Sequence, residues 1–180
     1  MKVLFVLDIN YFGDNWLKVA EVTAPCCDRI WFRVKGRSDR ETLELAKRLR
    51  KIIPSKTLLL SERADIASCA GFEGVHLNMG TPPPLEVKRS FPELIVGYSA
   101  HSLQECRVSG ADYFTLSPIF RTEKSVGAPI GAVPAPAPYV YALGGINAET
   151  AQSLKGLGYE GVAGIRLFSD VEKIKEEIVS

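Results

Sequence analysis

Short apolar segments rich in β-branched residues recur along the chain, and most of the stretches between them have the spacing of amphipathic helices. Such alternation is typical of parallel β–α units, in which each strand is buried on both faces. The eight candidate strands are residues 3–7, 30–34, 57–60, 74–77, 94–97, 113–116, 140–143 and 161–165. They predict an α/β fold, a small (β/α)8 TIM barrel, formed as a single domain by residues 1–180. An open doubly wound sheet, which needs fewer units, is the alternative.

Helix starts and one helix breaker refine this prediction. A serine followed three residues later by a glutamate, the spacing of a capping box, occurs at Ser38, Ser102 and Ser169. The helix after Ser38 is predicted to bury Leu45, Leu49 and Ile52 and to end before Pro54. The helix of the sixth unit (helix 6) is predicted to be short or missing, because residues 126–138 contain four prolines.

The charge of the chain is nearly balanced, with 22 Lys and Arg against 21 Asp and Glu. A net charge of +1 gives no general field that would attract nucleic acid or an anionic membrane, so any anion site must be local. The four cysteines form no C-x-x-C pair, which argues against a zinc site. No apolar run approaches the roughly 20 residues of a membrane span. We therefore expect a cytoplasmic protein with no nucleic-acid or membrane partner.

Two glycine-bearing turns follow the last two predicted strands. In TIM barrels the loops after strands 7 and 8 commonly bind a phosphate through backbone N–H groups, together with the N-terminus of a short extra helix. Gly144 and Gly145 would allow close approach of an anion, and Ile165 and Arg166 would add an amide and a guanidinium. The turns therefore predict a phosphate cradle, although ordinary β–α turns also contain glycine.

Catalytic side chains of TIM barrels lie at the C-terminal ends of the strands. Arg33 and Lys35 end the second strand one residue apart, so alternation places both on the same side; solvated surface cations are the alternative. Glu62 follows the third strand, where it could hold a metal ion or charge the first turn of a helix.

Both histidines lie near strand ends. His76 alternates with apolar neighbours and should point into the barrel, where a buried, hydrogen-bonded histidine without a chemical role is the commoner case. Ser99 and His101 follow the fifth strand, and His101 is the better candidate for general acid/base catalysis because it lies near the mouth. Thr122 and Lys124, after the sixth strand, could close over a phosphorylated ligand.

Five runs in order along the chain resemble the thiamine phosphate synthase/TenI superfamily from about residue 29 to residue 168. They are GVHL (74–77), GYSAHSLQE (97–105), GADYFTLSPIF (110–120), LGGI (143–146) and EGVAGI (160–165). The stretch RADIA (63–67), with GVHL and the Ser-x-His-Ser turn, is closer to the TenI branch. The resemblance implies a TIM-barrel protein of thiamine biosynthesis that binds a phosphorylated thiazole.

The resemblance also implies roles for individual residues. The thiazole phosphate would lie on the glycine turns, at Gly144, Gly145, Ile165 and Arg166. The predicted substrate-binding residues are Arg33, Lys35, Ser61, His76, Ser99, Thr122 and Lys124.

The chain departs from family synthases on the side of the site that would hold magnesium. Their Asn-Asp-Asp is replaced by Ser61-Glu62-Arg63, and the second metal aspartate is replaced by Thr81. Glu62 is the candidate metal ligand that is left, and Arg63 is expected to compete for its carboxylate. We therefore predict no cofactor, with Mg²⁺ required only if the chain is a true synthase.

These departures favour TenI-like proton-transfer chemistry, that of a thiazole tautomerase, with His101 as the catalytic residue. In family tautomerases the catalytic histidine stands at the position of Pro118. The alternatives are an active Mg-dependent synthase that joins a pyrimidine diphosphate to thiazole phosphate, and a non-catalytic thiazole phosphate binder. The predicted partner is thus a phosphorylated thiazole, and assembly into a homo-oligomer is left open.

Overall fold

A computed structural model describes residues 1–122 and 128–169 of the chain, and it contains a closed barrel of eight parallel strands in sequence order. The strands are β1 Lys2–Asp8, β2 Arg29–Arg33, β3 Thr57–Ser61, β4 Gly74–Leu77, β5 Ile95–Ala100, β6 Tyr113–Leu116, β7 Val140–Leu143 and β8 Gly161–Gly164. Strand β1 pairs with β2 on one side and with β8 on the other, which closes the sheet. The predicted TIM barrel is confirmed, and the alternative of an open sheet is wrong.

Short helices cover the outside of the barrel. They are α1 Ile9–Phe12, α2 Trp16–Thr23, α3 Asp39–Ile52, α4 Ala64–Cys69, α5 Pro84–Ser90 and α6 Ala148–Gln152. Turns of 3₁₀ helix occupy Gly13–Asn15, Ala24–Cys26, Glu105–Arg107 and Arg166–Ser169. None of the helices in the described part of the chain combines the length and apolarity that a bilayer-spanning segment requires.

Helix α3 begins and ends as predicted and buries Leu49, but its buried face is shifted from the predicted one. The Ser38 hydroxyl accepts a hydrogen bond from the Glu41 amide, and the Glu41 carboxylate accepts one from the Ser38 amide, which completes the capping box. Ile52, expected to be buried, is 36% exposed, and Leu45 is half-buried. The inward stripe instead starts at Thr42, because small side chains there let the helix lie close to the sheet. It continues through Ala46, Leu49 and Ile53.

Two other predicted helices have different outcomes. The Ser102 hydroxyl accepts from the Glu105 amide at 3.3 Å, but only the 3₁₀ turn Glu105–Arg107 follows, so the helix predicted there is wrong. The helix predicted after Ser169 lies outside the described residues. Between β6 and β7, the described residues 117–122 and 128–139 contain no helix, as the prolines of that segment predict.

The barrel separates two apolar cores. The larger one lies between the outer face of the sheet and the helices. The smaller one fills the barrel interior and comprises Leu4, Val6, Trp31, Leu59, Tyr113, Tyr141 and Ala163. The interior is therefore packed with side chains and leaves free volume only at its ends, as in other barrels of this size.

Glycines make room for the large interior side chains. A Cβ atom at Gly97 would lie 2.2 Å from the Tyr113 ring, and one at Gly161 would lie 2.8 Å from the Tyr141 ring and 2.1 Å from the Lys2 carbonyl oxygen. The aromatic side chains thus occupy the space that glycine leaves on neighbouring strands.

Substituting Gly97→Ala should lower the free energy of unfolding by about 1–3 kcal/mol, because the new methyl group overlaps the Tyr113 ring. Urea denaturation of the wild type, Gly97→Ala, Tyr113→Leu and the double variant would measure it. Tyr113→Leu should cost less in the Gly97→Ala background than in the wild type, since it removes the overlap. Additive costs would contradict this packing argument.

Candidate functional site at the C-terminal end of the barrel

Two adjoining cavities open where the strands end. The larger has a volume of about 720 Å³ and the smaller about 440 Å³, and both are lined by Tyr11, Leu143 and Ile165. The larger cavity is also lined by the predicted site residues Arg33, Lys35, Ser61, Glu62, His76, Ser99 and His101. The smaller cavity is also lined by Thr122, Gly144, Gly145 and Arg166. The structure therefore brings the predicted residues together in two groups, except Lys124, which lies outside the described residues.

The smaller cavity contains the two glycine turns. The turn after β7 carries Gly144 and Gly145 with φ of +92° and +69°, values that glycine adopts without steric cost. The turn after β8 passes through Ile165 into the 3₁₀ turn Arg166–Ser169. Among the described residues, no backbone carbonyl accepts a hydrogen bond from the amides of Gly145 or Ile165. These amides can therefore bind an external acceptor such as a phosphate oxygen.

The glycines of the cradle are also required by packing. A Cβ atom at Gly145 would lie 2.7 Å from Phe120 Cβ, and one at Gly144 would lie 3.0 Å from Pro118 Cα. The segment after β6 lies against this turn and donates from the Phe120 amide to the Gly144 carbonyl at 3.0 Å. A larger residue at either glycine would disturb this packing.

Arg33 at the end of β2 forms an ion pair with Asp8 at the end of β1. The Asp8 side chain is almost fully buried and its carboxylate also accepts from the amides of Asn10 and Tyr11, at 2.9 and 3.2 Å, which caps α1. Asp8 was not predicted as a site residue, although its place at a strand end was a usable signal. The pair leaves Arg33 in the cavity with its charge balanced.

The second cation of the cavity, Lys35, faces Glu62. The ammonium lies 3.6 Å from the Glu62 carboxylate, which also accepts from the Asn78 amide group at 2.8 Å. The expectation that Arg63 would compete for Glu62 is wrong: Arg63 forms ion pairs with Asp39 and Asp65. Lys35 instead pairs with Glu62, because β2 and β3 are neighbours and their ends meet at the mouth.

The side chains at the mouth suit a magnesium ion poorly. Mg²⁺ prefers several oxygen ligands in octahedral geometry. Asp8 and Glu62 are each held by a cation, and within residues 1–122 and 128–169 no three His, Cys, Asp or Glu side chains are grouped as metal ligands. At the position of the second aspartate of synthases, the Thr81 hydroxyl donates to the Asn78 carbonyl at 2.7 Å.

His76 points into the barrel as predicted and is 1% exposed. Its Nδ1 atom lies 2.7 Å from the Tyr113 hydroxyl and its Nε2 atom 2.9 Å from the Ser99 hydroxyl. The Trp31 ring packs on the imidazole with 3.8 Å between centroids. Burial lowers the pKa of His76 from 6.5 to about 3, so the imidazole is neutral at physiological pH.

His101 lies at the rim of the larger cavity, and its side chain is exposed. Its Nδ1 atom lies 3.1 Å from the Ser117 carbonyl oxygen. A carbonyl only accepts hydrogen bonds, so Nδ1 carries the proton and Nε2 is the nitrogen that can take one up. His101 is thus held at the rim by one hydrogen bond through Nδ1.

The stability of the fold should fall at acidic pH because of His76. Below pH 6.5 the unfolded chain binds a proton at His76 that the folded chain does not bind until about pH 3. The stabilising effect of neutral His76 is therefore complete above pH 6.5. Between pH 6.5 and about pH 3, the free energy of unfolding falls by at most about 1.4 kcal/mol per pH unit. Urea denaturation between pH 7 and pH 4 should show a shallower pH dependence for His76→Asn than for the wild type. Equal slopes would contradict the neutral, buried state of His76; His101→Asn, at the exposed rim, is the matched control.

A sequence model of the family described as thiamine monophosphate synthase matches residues 3–168. The "Putative thiamine-phosphate synthase 2" of Aquifex aeolicus is 38% identical over 93% of this chain and 97% of its own length. A "Thiamine-phosphate synthase" of Methanococcus maripaludis is 28% identical over 97% of this chain and 89% of its own length.

Solved structures agree on the fold. The "Thiamine phosphate pyrophosphorylase" of Pyrococcus furiosus superposes with a TM-score of 0.82 at 24% identity, covering 99% of this chain and 95% of that one. A 3-keto-L-gulonate-6-phosphate decarboxylase of Vibrio cholerae gives a TM-score of 0.73 at 14% identity, over 99% and 97% of the two chains. At these identities the likeness concerns the barrel alone.

The relatives carry the name of a transferase of thiamine biosynthesis, which confirms the prediction of an enzyme at the level of the family. The family model, the named relatives and the superposed barrel structures each match almost the whole chain. The chain therefore belongs to the thiamine monophosphate synthase (TMP-TENI) family.

Proposed function

We propose that this protein binds a phosphorylated thiazole across the two cavities and shifts a proton on it, as a TenI-like thiazole tautomerase. One observation carries the proposal: the cavity with the glycine turns adjoins a cavity that His101 lines. There His101 is held through Nδ1, and the carboxylates of Asp8 and Glu62 are paired with cations. A cradle and a base are what a proton shift needs, and no step of it requires a metal ion.

The smaller cavity supports binding of the phosphate. Gly145, Ile165 and Arg166 line it, and no carbonyl of the described backbone accepts from the amides of Gly145 and Ile165. Oriented amides and an arginine are the usual partners of a phosphate in a protein. The phosphorylated end of the ligand is therefore assigned to this cavity.

The thiazole ring is assigned to the junction of the two cavities. Leu143 and Ile165 line both cavities and offer apolar surface to the two faces of a flat ring. A ring held there, with its phosphate on the glycine turns, extends into the larger cavity, where His101 lies at the rim.

His101 would carry the proton. Its Nε2 atom takes a proton from a ring carbon and the double bond shifts; the imidazolium then returns a proton to another position of the ring. No oxidant or reductant is needed, since one C–H bond breaks and another forms. The Ser117 carbonyl keeps its hydrogen bond from Nδ1 in both protonation states. His101 directly follows β5 and contacts the Ser117 carbonyl. Ser117 precedes Pro118, the position at which family tautomerases carry their histidine.

A Mg-dependent synthase is the second candidate, and the names of the relatives favour it. The larger cavity, at about 720 Å³, has room for a second substrate, and Arg33 and Lys35 could bind a diphosphate if it displaced Asp8 and Glu62. The pairing of both carboxylates with cations is the reason that we place the synthase second.

Arg166→Gln should weaken binding of thiazole phosphate by about tenfold or more, because a charge-assisted hydrogen bond is lost. Isothermal titration calorimetry measures it directly. Arg89→Gln, which removes an exposed arginine of α5 paired with Glu86, is the matched control and should leave the affinity unchanged. Equal affinities of all three proteins would remove the phosphate assignment.

His101→Asn should lower kcat for isomerisation of the thiazole carboxylate phosphate by about 10²–10⁴-fold, the usual contribution of a general acid/base. Asparagine can still donate to the Ser117 carbonyl, so affinity for thiazole phosphate should persist. The wild-type rate should not change when EDTA is added.

Other outcomes of that assay select the alternatives. Formation of thiamine phosphate from thiazole phosphate and pyrimidine diphosphate with Mg²⁺ would place the synthase first. Tight binding of thiazole phosphate without turnover of any substrate would indicate a non-catalytic binder.

A further inference from the structure

Two serine hydroxyls in the larger cavity each lie against the nitrogen of an aromatic ring. Ser61 ends β3 and Ser99 lies in β5, and His76 stands on β4 between them, in register with Ser61. The Trp31 indole nitrogen lies 2.8 Å from the Ser61 oxygen, and His76 Nε2 lies 2.9 Å from the Ser99 oxygen. The direction of these two hydrogen bonds decides what the serines can offer a ligand.

The direction is fixed for Ser61. An indole nitrogen only donates, so the Ser61 oxygen accepts and its hydroxyl proton is left for another acceptor. Ser61 is 6% exposed, and that small exposed surface faces the cavity. Ser61 is therefore a hydrogen-bond donor towards the ligand.

The direction for Ser99 follows from Tyr113. The Tyr113 phenol is 1% exposed, and His76 Nδ1, at 2.7 Å, is the hydrogen-bond partner that the described residues give it. If Nδ1 carried the proton, the phenol would be left as a buried donor without an acceptor, which is costly. Tyr113 therefore donates to Nδ1, and the imidazole proton lies on Nε2.

From Nε2 the proton points to Ser99, with the Thr115 hydroxyl as a weaker second acceptor at 3.4 Å. The Ser99 oxygen thus accepts from His76, and the Ser99 hydroxyl proton is directed to the cavity. Both serines thus present a hydroxyl donor to the cavity, because the nitrogen of a buried ring donates to each serine oxygen.

We propose that Ser61 and Ser99 bind the carboxylate of a thiazole carboxylate phosphate and so select it over thiazole phosphate. This inference rests on the proposed function. A carboxylate has two acceptor oxygens, one for each hydroxyl, and the charged groups beside the serines are the two ion pairs Asp8–Arg33 and Lys35–Glu62. In the closed barrel, β3 with Ser61 lies opposite β7, and β5 with Ser99 lies opposite β1, which adjoins β8. The ligand then spans the mouth, with its phosphate on one side and its carboxylate on the other.

In this arrangement Trp31 and His76 are positioning residues. They do not supply the donors themselves, since the Trp31 N–H and the His76 Nε2–H are used on the serine oxygens. Their effect is to prevent the hydroxyl protons from turning inwards. Hydroxyl groups that are already oriented lose little conformational freedom when a ligand binds.

Calorimetric titration of thiazole phosphate and thiazole carboxylate phosphate into the wild type, Ser61→Ala and Ser99→Ala tests the inference. The wild type should prefer the carboxylated ligand, and each variant should lose about tenfold in affinity for that ligand alone. Trp31→Phe keeps an aromatic ring but removes the N–H that holds Ser61, and it should reduce the preference for the carboxylated ligand. Equal losses for both ligands, or a wild type without preference, would overturn the inference.

The same titration separates this inference from the proposed function. A wild type that binds thiazole phosphate without preference refutes the carboxylate site and leaves the phosphate assignment intact. A wild type that binds neither ligand refutes both.

The protonation of His76 can be read without any ligand. The chain has two histidines, so a nitrogen–proton correlation spectrum of ¹⁵N-labelled protein, assigned with His76→Asn, distinguishes them. We expect His76 to carry its proton on Nε2 and His101 to carry its proton on Nδ1. A proton on Nδ1 of His76 would overturn the donor role of Ser99.

Discussion

The inward-pointing side chains must fill the space enclosed by eight strands, and in this chain large aromatic residues fill much of it. Trp31, Tyr113 and Tyr141 occupy the interior, and glycines on neighbouring strands leave the room that the two tyrosine rings take. Aromatic rings with a polar atom need a partner when they are buried. Trp31 finds one in Ser61, and Tyr113 finds one in His76. The packing that closes the barrel therefore also fixes polar groups at the floor of the larger cavity.

Electrostatics divide the mouth of the barrel into two parts. In the larger cavity, Asp8 balances Arg33 and Glu62 faces Lys35, so the local charge is close to zero although four ionised groups are present. The smaller cavity is lined by Arg166 and by glycine turns, where no carbonyl of the described backbone accepts from the Gly145 and Ile165 amides. The two cavities therefore differ in the polar groups that line them, and the proposed function assigns the phosphate to the smaller one.

Membership of the family and the chemistry of the site are separate conclusions. The match over residues 3–168 and the Aquifex aeolicus relative establish the first. The proposed chemistry depends on a few side chains at strand ends, where Lys35 holds Glu62 and the Thr81 hydroxyl donates to the Asn78 carbonyl. A barrel tolerates such exchanges because residues at strand ends can vary without disturbing the packed interior.

The sequence alone determined the features that depend on local pattern. The eight strands, the capping box at Ser38, the absence of a helix from the described residues between β6 and β7, and the two glycine turns follow from residues close together in the chain, whose conformational preferences act locally. The tertiary structure decided which distant residues meet. The ion pair of Lys35 with Glu62 joins residues that follow different strands, and the hydrogen bond between His76 and Tyr113 joins residues on different strands. The sequence could not show them, because closure of the sheet sets the register of the strands and thereby determines which side chains share the interior and the mouth.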